Sequence, residues 1–500
     1  MKIVLSSIGV QSGTDQPLAL YYLKAYLLKG RGPGKTSLKV RIRVFHEEDR
    51  APDIASAILR YKPGLVGFSC YIWNIEKILC ACRKIKKIDP GIKIVLGGPE
   101  VTPRAAEILA DEPAVYAVVR GEGEATFSDL VNNPGKPLSE IPGLSFRGPG
   151  EVVNNPGRRQ IGDLREIPSP YLSHVVDLKD KNIVDVPLET TRGCVSRCNY
   201  CYYHKNFPKV RYFPLSRVEK ELKLILASRP KELYLMDATF NSDPARAKKI
   251  LKLVIKYNRV SGLHVELKAE LVDEEMAGLL RRANAMNIEI GIQSAGPRTL
   301  RAVNRGFNRE KFERGIRLLN KYKLFYEIQL IDALPFQSYE GLKRSLDWLY
   351  GLHPAKVVIF PLAVLPGTAL RENAGCYGIS YSARPPYYAC KSSAMPEAKV
   401  ARARKLCFAM ERLYDSQVFQ QTLYALKEKG GVRISDVLDD WLVWESAFKR
   451  RCRDYPVFLN NRSPQFLEYF CRRHNKLRVY REILPDLEKA LADYRAAYYS

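Results

Sequence analysis

The chain has 500 residues, which is too long for one ordinary domain and suggests about two to four. Hydrophobic residues make up 46% of the sequence and aromatic residues 10%, so the chain can bury large cores and is neither disordered nor fibrous. No apolar run reaches the roughly 18–20 residues that span a bilayer. The start, MKIVLSSIGVQSG, lacks the apolar stretch and cleavage site of a signal peptide. Secretion and membrane spanning are therefore not expected.

The chain is strongly basic. Its 80 Lys and Arg residues against 54 Asp and Glu residues give a net charge of +26, and these residues are spread along the whole sequence. A solvated basic surface explains this pattern, and so does attraction to RNA, to an anionic lipid surface or to an acidic substrate. The charge alone does not choose among them.

The sequence contains eleven cysteines. An odd number in a long chain without a signal peptide argues against a disulfide framework. The predicted compartment is the reducing cytoplasm, where most of these thiols are expected to act as small buried hydrophobes.

The fold class predicted for the chain is α/β. In residues 1–142, short apolar runs at 3–8, 40–45, 65–70, 92–96 and 116–119 alternate with helical stretches. This alternation predicts a Rossmann-like, doubly wound parallel sheet, with ligands outside the carboxyl ends of its strands. Residues 143–185 are rich in Pro, Gly and Asn and are predicted to form a linker, with a hairpin around 148–150.

A second alternating series covers residues 186–380. It contains six strand patterns separated by helical ones, which predicts a (β/α)6 full or partial barrel. From residue 381 to residue 500 the strand patterns fade, and a helical C-terminal domain is predicted.

The motif that carries chemistry follows the first strand of the second series. Cys194, Cys198 and Cys201 have the spacing C-x3-C-x2-C. Three thiolates in one loop can hold three irons of a [4Fe–4S] cube and leave the fourth iron open. There are two alternatives: a zinc site with a fourth ligand such as His204, and a redox pair formed by Cys198 and Cys201.

The cysteine motif, with Tyr200 before its last cysteine and a βα barrel around it, resembles the radical S-adenosylmethionine (SAM) superfamily. The resemblance implies that the open iron binds the amino and carboxylate groups of SAM. Electron transfer then cleaves SAM to methionine and a 5′-deoxyadenosyl radical. The resemblance also implies the SAM-binding residues: Asp237 at the amino group, Glu270 at an acidic position of the family, Gln293 and Gln329 at the ribose, and Arg305 at the carboxylate.

Three of these positions carry qualifications. Relatives usually have Asp where this chain has Gln329, and an amide holds ribose hydroxyls more weakly than a carboxylate does. Asp237 also fits a turn or helix cap, and Arg305 also fits a surface salt bridge.

The first 142 residues resemble the cobalamin-binding domain of B12-dependent radical SAM enzymes. With the C-terminal helices, the whole chain resembles a subfamily whose tail is a domain of unknown function. The Asp-x-His-x-x-Gly loop, which supplies a histidine to cobalt in many B12 proteins, is absent from the sequence. The cobalamin contacts implied by the resemblance lie in loops after the strands: Gly97, Gly98, Gly121, Glu122 and Gly123, with Tyr71 and Trp73 covering the lower corrin face. The alternative for Tyr71 and Trp73 is aromatic packing at a domain interface. The alternative for the whole domain is that it has lost cobalamin.

These features are interpreted as a cobalamin-dependent radical SAM methyltransferase that acts on an unactivated carbon, through the 5′-deoxyadenosyl radical and methylcobalamin. The expected cofactors are a [4Fe–4S] cluster, SAM and cobalamin. The expected partners are a small-molecule, lipid or peptide substrate and a low-potential electron donor of the ferredoxin or flavodoxin type. A non-methylating rearrangement or oxidation enzyme, and a non-catalytic B12 or redox sensor with a nucleic-acid-binding tail, are the alternative functions.

Overall fold

The computed structural model describes residues 1–10, 16–29, 38–180, 183–415, 418–446 and 455–499. Contacts divide the chain into two compact units. The first unit consists of Met1–Asn287, Val364–Asn373 and Ser382–Tyr387, and the second of Ile288–Ala363, Ala374–Tyr381 and Tyr388–Ser500. Residues 11–15, in the segment where a cobalt-binding histidine loop would follow the first strand, lie outside the described residues. No helix in the described part of the chain is long and apolar enough to cross a membrane.

The first unit opens with five strand–helix pairs. In chain order these are β1 (Lys2–Gly9), α1 (Leu18–Leu27), β2 (Lys39–His46), α2 (Ala51–Leu59), β3 (Leu65–Ser69), α3 (Ile75–Ile88), β4 (Lys93–Gly97), α4 (Ala105–Asp111), β5 (Ala117–Val119) and α5 (Gly123–Asn132). The five strands pair in parallel in the order β2-β1-β3-β4-β5. The predicted parallel sheet is confirmed.

The burial of this sheet follows from its sequence. β1, β3 and β5 are almost continuously buried, as expected where helices cover both faces of a sheet. α3 places Ile75, Ile78, Cys82 and Ile85 on one buried face, at the spacing of an amphipathic helix. Cys82 and the equally buried Cys70 are core hydrophobes here, as predicted for most of the cysteines.

The predicted linker is wrong in its first part. The hairpin predicted there consists of β6 (Leu144–Arg147) and β7 (Val152–Asn154), which add two antiparallel strands to the edge of the sheet beyond β5. Leu144 and Phe146 are buried in the same core, so residues up to 154 belong to the sheet. Pro, Gly and Asn mark turns equally well inside a domain and between domains, and sequence reasoning therefore placed the boundary too early.

The first unit also holds the beginning of the predicted barrel. Its elements are β8 (Asp185–Leu188), β9 (Thr191–Arg192), α6 (Tyr203–Asn206), β10 (Arg211–Tyr212), α7 (Leu215–Ala227), β11 (Glu232–Leu235), α8 (Pro244–Tyr257), β12 (Gly262–Leu267) and α9 (Glu274–Arg282). β11 pairs in parallel with β8 on one side and with β12 on the other, whereas β9 and β10 form a short antiparallel ladder.

The second unit contains the other three barrel strands. Strand β13 begins in the first unit and continues into the second, and it pairs in parallel with β14, which pairs in parallel with β15. The elements in chain order are β13 (Ala285–Gln293), α10 (Pro297–Ala302), α11 (Arg309–Lys321), β14 (Glu327–Ile331), α12 (Tyr339–Tyr350), β15 (Lys356–Phe360), α13 (Ala369–Glu372), β16 (Ser380–Tyr381) and β17 (Ala389–Lys391). All six predicted strands of the series are present.

The rest of the second unit is helical, as predicted. It consists of α14 (Glu397–Leu413), α15 (Gln420–Gly430), α16 (Ile434–Ser446), α17 (Tyr455–Arg473) and α18 (Leu477–Tyr499). α16 is tied to α12 at Asp347, whose carboxylate accepts hydrogen bonds from the N–H and the hydroxyl of Ser435 at 2.9 and 2.7 Å. The C-terminal helices therefore pack on barrel helices of the same unit.

Candidate active site

The three motif cysteines lie in the loop between β9 and α6. Gly193, just before the first cysteine, has φ = +105°, and a Cβ atom there would lie 2.5 Å from the carbonyl oxygen of Lys209. Only glycine allows this close approach, so the residue that precedes Cys194 is fixed by the backbone. The loop is closed further along by the N–H of Cys201, which donates to the carbonyl of Cys198 at 3.1 Å.

The thiols of this loop are partly withdrawn from solvent. Cys198 is 4% exposed, and the N–H of Ser196 donates to the Sγ of Cys194 at 3.4 Å. Burial raises the pKa of the Cys201 thiol, and the neighbouring thiols of Cys198 and Cys194 raise it further. A bound metal would reverse this effect, because metal ligation deprotonates a thiol.

The donor set fits an iron–sulfur cluster. Three thiolates from one loop, one of them supported by a backbone N–H, match three corners of a cube. Within the described residues, no three His, Cys, Asp or Glu side chains converge as a preformed metal site, and this includes the zinc alternative with His204. That Cys194, Cys198 and Cys201 hold the cluster stays a prediction.

Asp237 supports the strand that leads into the cysteine loop. Its buried carboxylate accepts hydrogen bonds from the N–H groups of Thr190 and Thr191, at 2.7 and 2.9 Å, and from the Thr190 hydroxyl. Burial raises its pKa to about 6, although these hydrogen bonds oppose the shift. Both carboxylate oxygens are thus used within the chain, and contact with the SAM amino group stays a prediction.

Glu270 is differently placed. It stands in a short 3₁₀ turn, Ala269–Leu271, directly after β12, and is half-buried. Its carboxylate takes no hydrogen bond from any residue that the structure describes. Of the two predicted acidic contacts to SAM, Glu270 is the one left available for an ammonium group.

Gln293 and Arg305 are brought together over Gly291 in the second unit. A Cβ atom at Gly291 would lie 2.5 Å from Nε2 of Gln293 and 3.3 Å from Nη2 of Arg305. The same Nη2 donates a hydrogen bond to the Gly291 carbonyl. Gln293 has φ = +72° and follows a register shift in β13, which turns its amide back over the strand. Arg305 thus folds onto the end of β13, and the predicted contacts of Arg305 with the SAM carboxylate and of Gln293 with the ribose stay predictions.

Gln329 lies between two carboxylates, which gives a physical reason for its departure from the family pattern. Its Nε2 donates to Glu289 at 2.7 Å and to Glu327 at 3.0 Å. Lys356 pairs with Glu327 at 3.2 Å. An aspartate at 329 would add a third negative charge here, whereas the amide supplies two donors. Its contact with ribose stays a prediction.

An exposed Trp73 and a half-buried Tyr71 form an aromatic pair after β3. Their rings stack with centroids 4.4 Å apart and 7° between the planes, and Trp73 is 54% exposed. Asn74 fixes the turn by donating to the carbonyls of Ile8 and Ser69 at 3.1 and 3.2 Å. A large ring left open at the carboxyl edge of the sheet suits the flat face of a corrin.

The glycines predicted to contact cobalamin differ in what surrounds them. Gly98 has φ = +113°, and a Cβ atom there would lie 2.5 Å from the Cys70 carbonyl, so this glycine serves the close passage of two backbone segments. A Cβ atom at Gly97 would lie 3.5 Å from the Val119 carbonyl oxygen, and one at Gly123 would lie 3.2 Å from the Leu23 side chain. A Cβ atom at Gly121 would meet nothing within 4 Å. Gly121 is therefore the most open of the four positions.

Glu122 belongs to a group of buried charged residues beside the cysteine loop. Its buried carboxylate pairs with Arg192 at 3.1 Å and with Arg211 at 2.7 Å. Arg192 also pairs with Glu124 at 2.7 Å and with Glu189 at 2.9 Å. These five residues, the Arg192 network, join the first turn of α5 to the strands that flank the cysteine loop. Cobalamin contact by Glu122 stays a prediction that this pairing does not favour.

Sequence reasoning missed the Arg192 network. The available signal was Arg192 itself, a charged residue in a buried strand two positions before the first cysteine. A buried charge is retained only with partners, but the sequence does not show that two of them come from a helix about seventy residues earlier.

Comparison with known proteins identifies both domains. Residues 8–131 match the family described as B12 binding domain, and residues 188–349 match the Radical SAM superfamily. An uncharacterized methyltransferase of Pyrococcus horikoshii is 28% identical over 369 residues, covering 72% of this chain and 79% of that protein. The cobalamin-dependent radical SAM methyltransferase TokK of Streptomyces tokunonensis is 28% identical over 195 residues, which are 37% of this chain and 28% of TokK.

The structural comparison agrees at the level of the fold. The cobalamin-dependent SAM radical enzyme OxsB, solved with aqua-cobalamin and SAM bound, superposes with a TM-score of 0.66 at 18% identity, covering 99% of this chain and 80% of OxsB. The two matched domains use a [4Fe–4S] cluster with SAM and cobalamin, respectively. By its two domains, the chain is identified as a member of the radical SAM superfamily that carries a B12-binding domain.

Proposed function

We propose that this chain is a cobalamin-dependent radical SAM methyltransferase that acts on an unactivated carbon. The observation that carries the proposal is that the cysteine loop and the B12-binding sheet belong to one compact unit and are joined by the Arg192 network. Relatives named as methyltransferases support the same activity.

Some residues of the site would bind the cofactors directly, and others would position the residues that bind them. Cys194, Cys198 and Cys201 would ligate the cluster, and Glu270 would face the amino group of SAM. Asp237 would act on the loop indirectly, by fixing Thr190 and Thr191. When bound, the three cofactors supply the radical and the transferable methyl group.

The exposed ring of Trp73, stacked on the half-buried Tyr71, would set one face of the cobalamin site. Trp73 offers a flat apolar surface and no nitrogen lone pair, so it would cover the corrin without ligating cobalt. This arrangement agrees with the missing histidine loop in the sequence. Trp73 would thus shield the metal from water while leaving it weakly ligated.

The finer assignment of partners and location belongs to the same proposal. The reaction needs a low-potential electron donor, for which a protein of the ferredoxin or flavodoxin type is the expected source, and a small-molecule, lipid or peptide substrate. Ten of the cysteines are described, and all ten are free thiols, which supports a reducing cytoplasm.

The test measures two products of SAM in one reaction. The protein is purified without oxygen, its cluster is rebuilt, and cobalamin, SAM and a low-potential reductant are added. S-adenosylhomocysteine reports methyl transfer to cobalamin, and 5′-deoxyadenosine reports radical formation. Cys198→Ala should abolish 5′-deoxyadenosine, and omission of cobalamin should abolish S-adenosylhomocysteine. Cys376→Ala, at an exposed cysteine of the second unit, is the matched control and should keep both products.

Each other result would contradict the proposal in a defined way. 5′-Deoxyadenosine alone would leave a radical enzyme without methyl transfer, as in the rearrangement or oxidation alternative. Neither product from a chain with an intact cluster would favour the sensor alternative.

A further inference from the structure

A small cavity lies beside the cysteine loop, within the first unit. Its volume is about 260 Å³, and it is bounded by the carboxyl end of β5, by residues 157–161 and by α6. We call it the Arg120 cavity, after Arg120, which lines it together with Thr102, Gly121, Arg159, Tyr202 and Lys205. Lys205 is four residues after the last cysteine of the motif.

The charges around the Arg120 cavity do not balance. Arg120, Arg159 and Lys205 have no carboxylate partner among the residues that the structure describes. The lining carboxylate of Glu122 is already bound by two arginines of the Arg192 network. The cavity is therefore an uncompensated positive site, with the chemistry to attract an anion.

Arg120 is the strongest indication of a missing ligand. Its Nη2 donates to the Asn155 carbonyl, but its Nε is buried and has no partner. Burial lowers the pKa of the guanidinium. A buried donor on a charged group costs free energy unless an acceptor reaches it, and an anion would supply that acceptor.

The backbone next to Arg120 leaves room for such a group. Gly121 has φ = +72°, and a Cβ atom there would meet nothing within 4 Å. Helix α5 begins two residues later, and Ala125 in its first turn lines the cavity. The N-terminal end of a helix adds positive potential, which favours an anion at this side.

We propose that the Arg120 cavity binds a phosphate or carboxylate group of a molecule used by the enzyme. The guanidinium of Arg120 would donate to its oxygens, and the Lys205 ammonium would add charge from the open side. The role given to this bound anion rests on the proposed function. The anion would come either from the phosphodiester of the cobalamin nucleotide or from a carboxylate or phosphate of the substrate.

The first test uses inorganic phosphate and the full chain without cofactors. Binding is measured by calorimetry at constant ionic strength. Arg120→Gln should weaken phosphate binding at least about tenfold, since a hydrogen bond to a charged group is lost, and Lys205→Glu should weaken it as well. Lys205 is exposed, so its variant tests the cavity without disturbing packing. Arg282→Gln, at an exposed arginine in α9, is the matched control and should bind like the unchanged chain.

A second measurement distinguishes the two sources. Cobalamin and cobinamide, which lacks the nucleotide and its phosphate, are titrated into the same variants. If Arg120→Gln weakens cobalamin binding but not cobinamide binding, the anion is the cofactor phosphate. If neither changes while phosphate binding falls, the anion belongs to the substrate. The proposal is overturned if the unchanged chain binds no phosphate, or if both cavity variants bind it like Arg282→Gln. None of these readouts depends on turnover, so they stand apart from the test of methyl transfer.

Discussion

Replacing Arg192 by Gln should loosen the segment that carries the cysteine loop. The side chain is 5% exposed and faces three carboxylates, those of Glu122, Glu124 and Glu189, at 2.7–3.1 Å. At an effective dielectric constant near 20, each such contact contributes about 5–6 kcal/mol of attraction before desolvation is subtracted. Removing one partner of a buried pair costs about 3–5 kcal/mol, because the remaining charge stays buried. In Arg192→Gln, the three carboxylates would be left with a single arginine partner, Arg211, which pairs with Glu122.

Hydrogen exchange followed by mass spectrometry measures this effect where it occurs. On the chain without cofactors, a loss of about 3 kcal/mol would raise the exchange rate of the α5 and β9 amides by about 100-fold. Glu124→Gln added to Arg192→Gln should recover part of this loss, since it removes one unpaired charge. Lys252→Gln, which breaks the exposed pair with Glu275, should cost less than about 1 kcal/mol. If Arg192→Gln exchanges no faster than Lys252→Gln, the network does not stabilise this segment and the reasoning is wrong.

Three further predictions concern the cluster, the corrin surface and a buried acid. Cys198→Ala should lose its iron on cluster reconstitution and Cys376→Ala should keep it; equal iron in both would exclude the motif as the cluster site. Trp73→Ala should weaken cobalamin binding at least about tenfold, because an aromatic face is lost, whereas Phe408→Ala, also at an exposed ring, should not. Burial raises the pKa of Asp237 above its ordinary value of 3.8 to about 6, so the folded chain holds this proton more tightly and its stability should fall as pH rises from about 4 to 6. Urea unfolding should show this fall in the unchanged chain and not in Asp237→Asn; the same slope in both would refute it.

Local sequence patterns predicted most elements of this fold, because their causes are local. The alternation of apolar runs and amphipathic stretches sets strand and helix within a few residues, as in the amphipathic helix α3 that follows the apolar strand β3. The cysteine spacing predicts a cluster loop for the same reason, since all three candidate ligands lie within eight residues. Glycine is required at position 193 because the backbone there passes too close to Lys209 for a Cβ atom.

The domain boundary and the partners of charged residues were decided by contacts that the sequence does not contain. β6 joins the sheet because β5 offers a free edge, and the turn residues around Gly148 look the same in a linker. The sequence likewise does not show that folding places the N–H groups of Thr190 and Thr191 against Asp237, whose contact with SAM stays a prediction.

The sequence by itself thus determined the two domain types, the cluster motif and the likeness to a family of enzymes. Only the tertiary structure decided that Glu122 is held by Arg192 and Arg211 and that Arg120 is left with an open donor. The physical reason is that periodicity and spacing report what a residue does within its own element. The compensation of a buried charge depends on which distant residues meet it, and this is known only when the chain is folded.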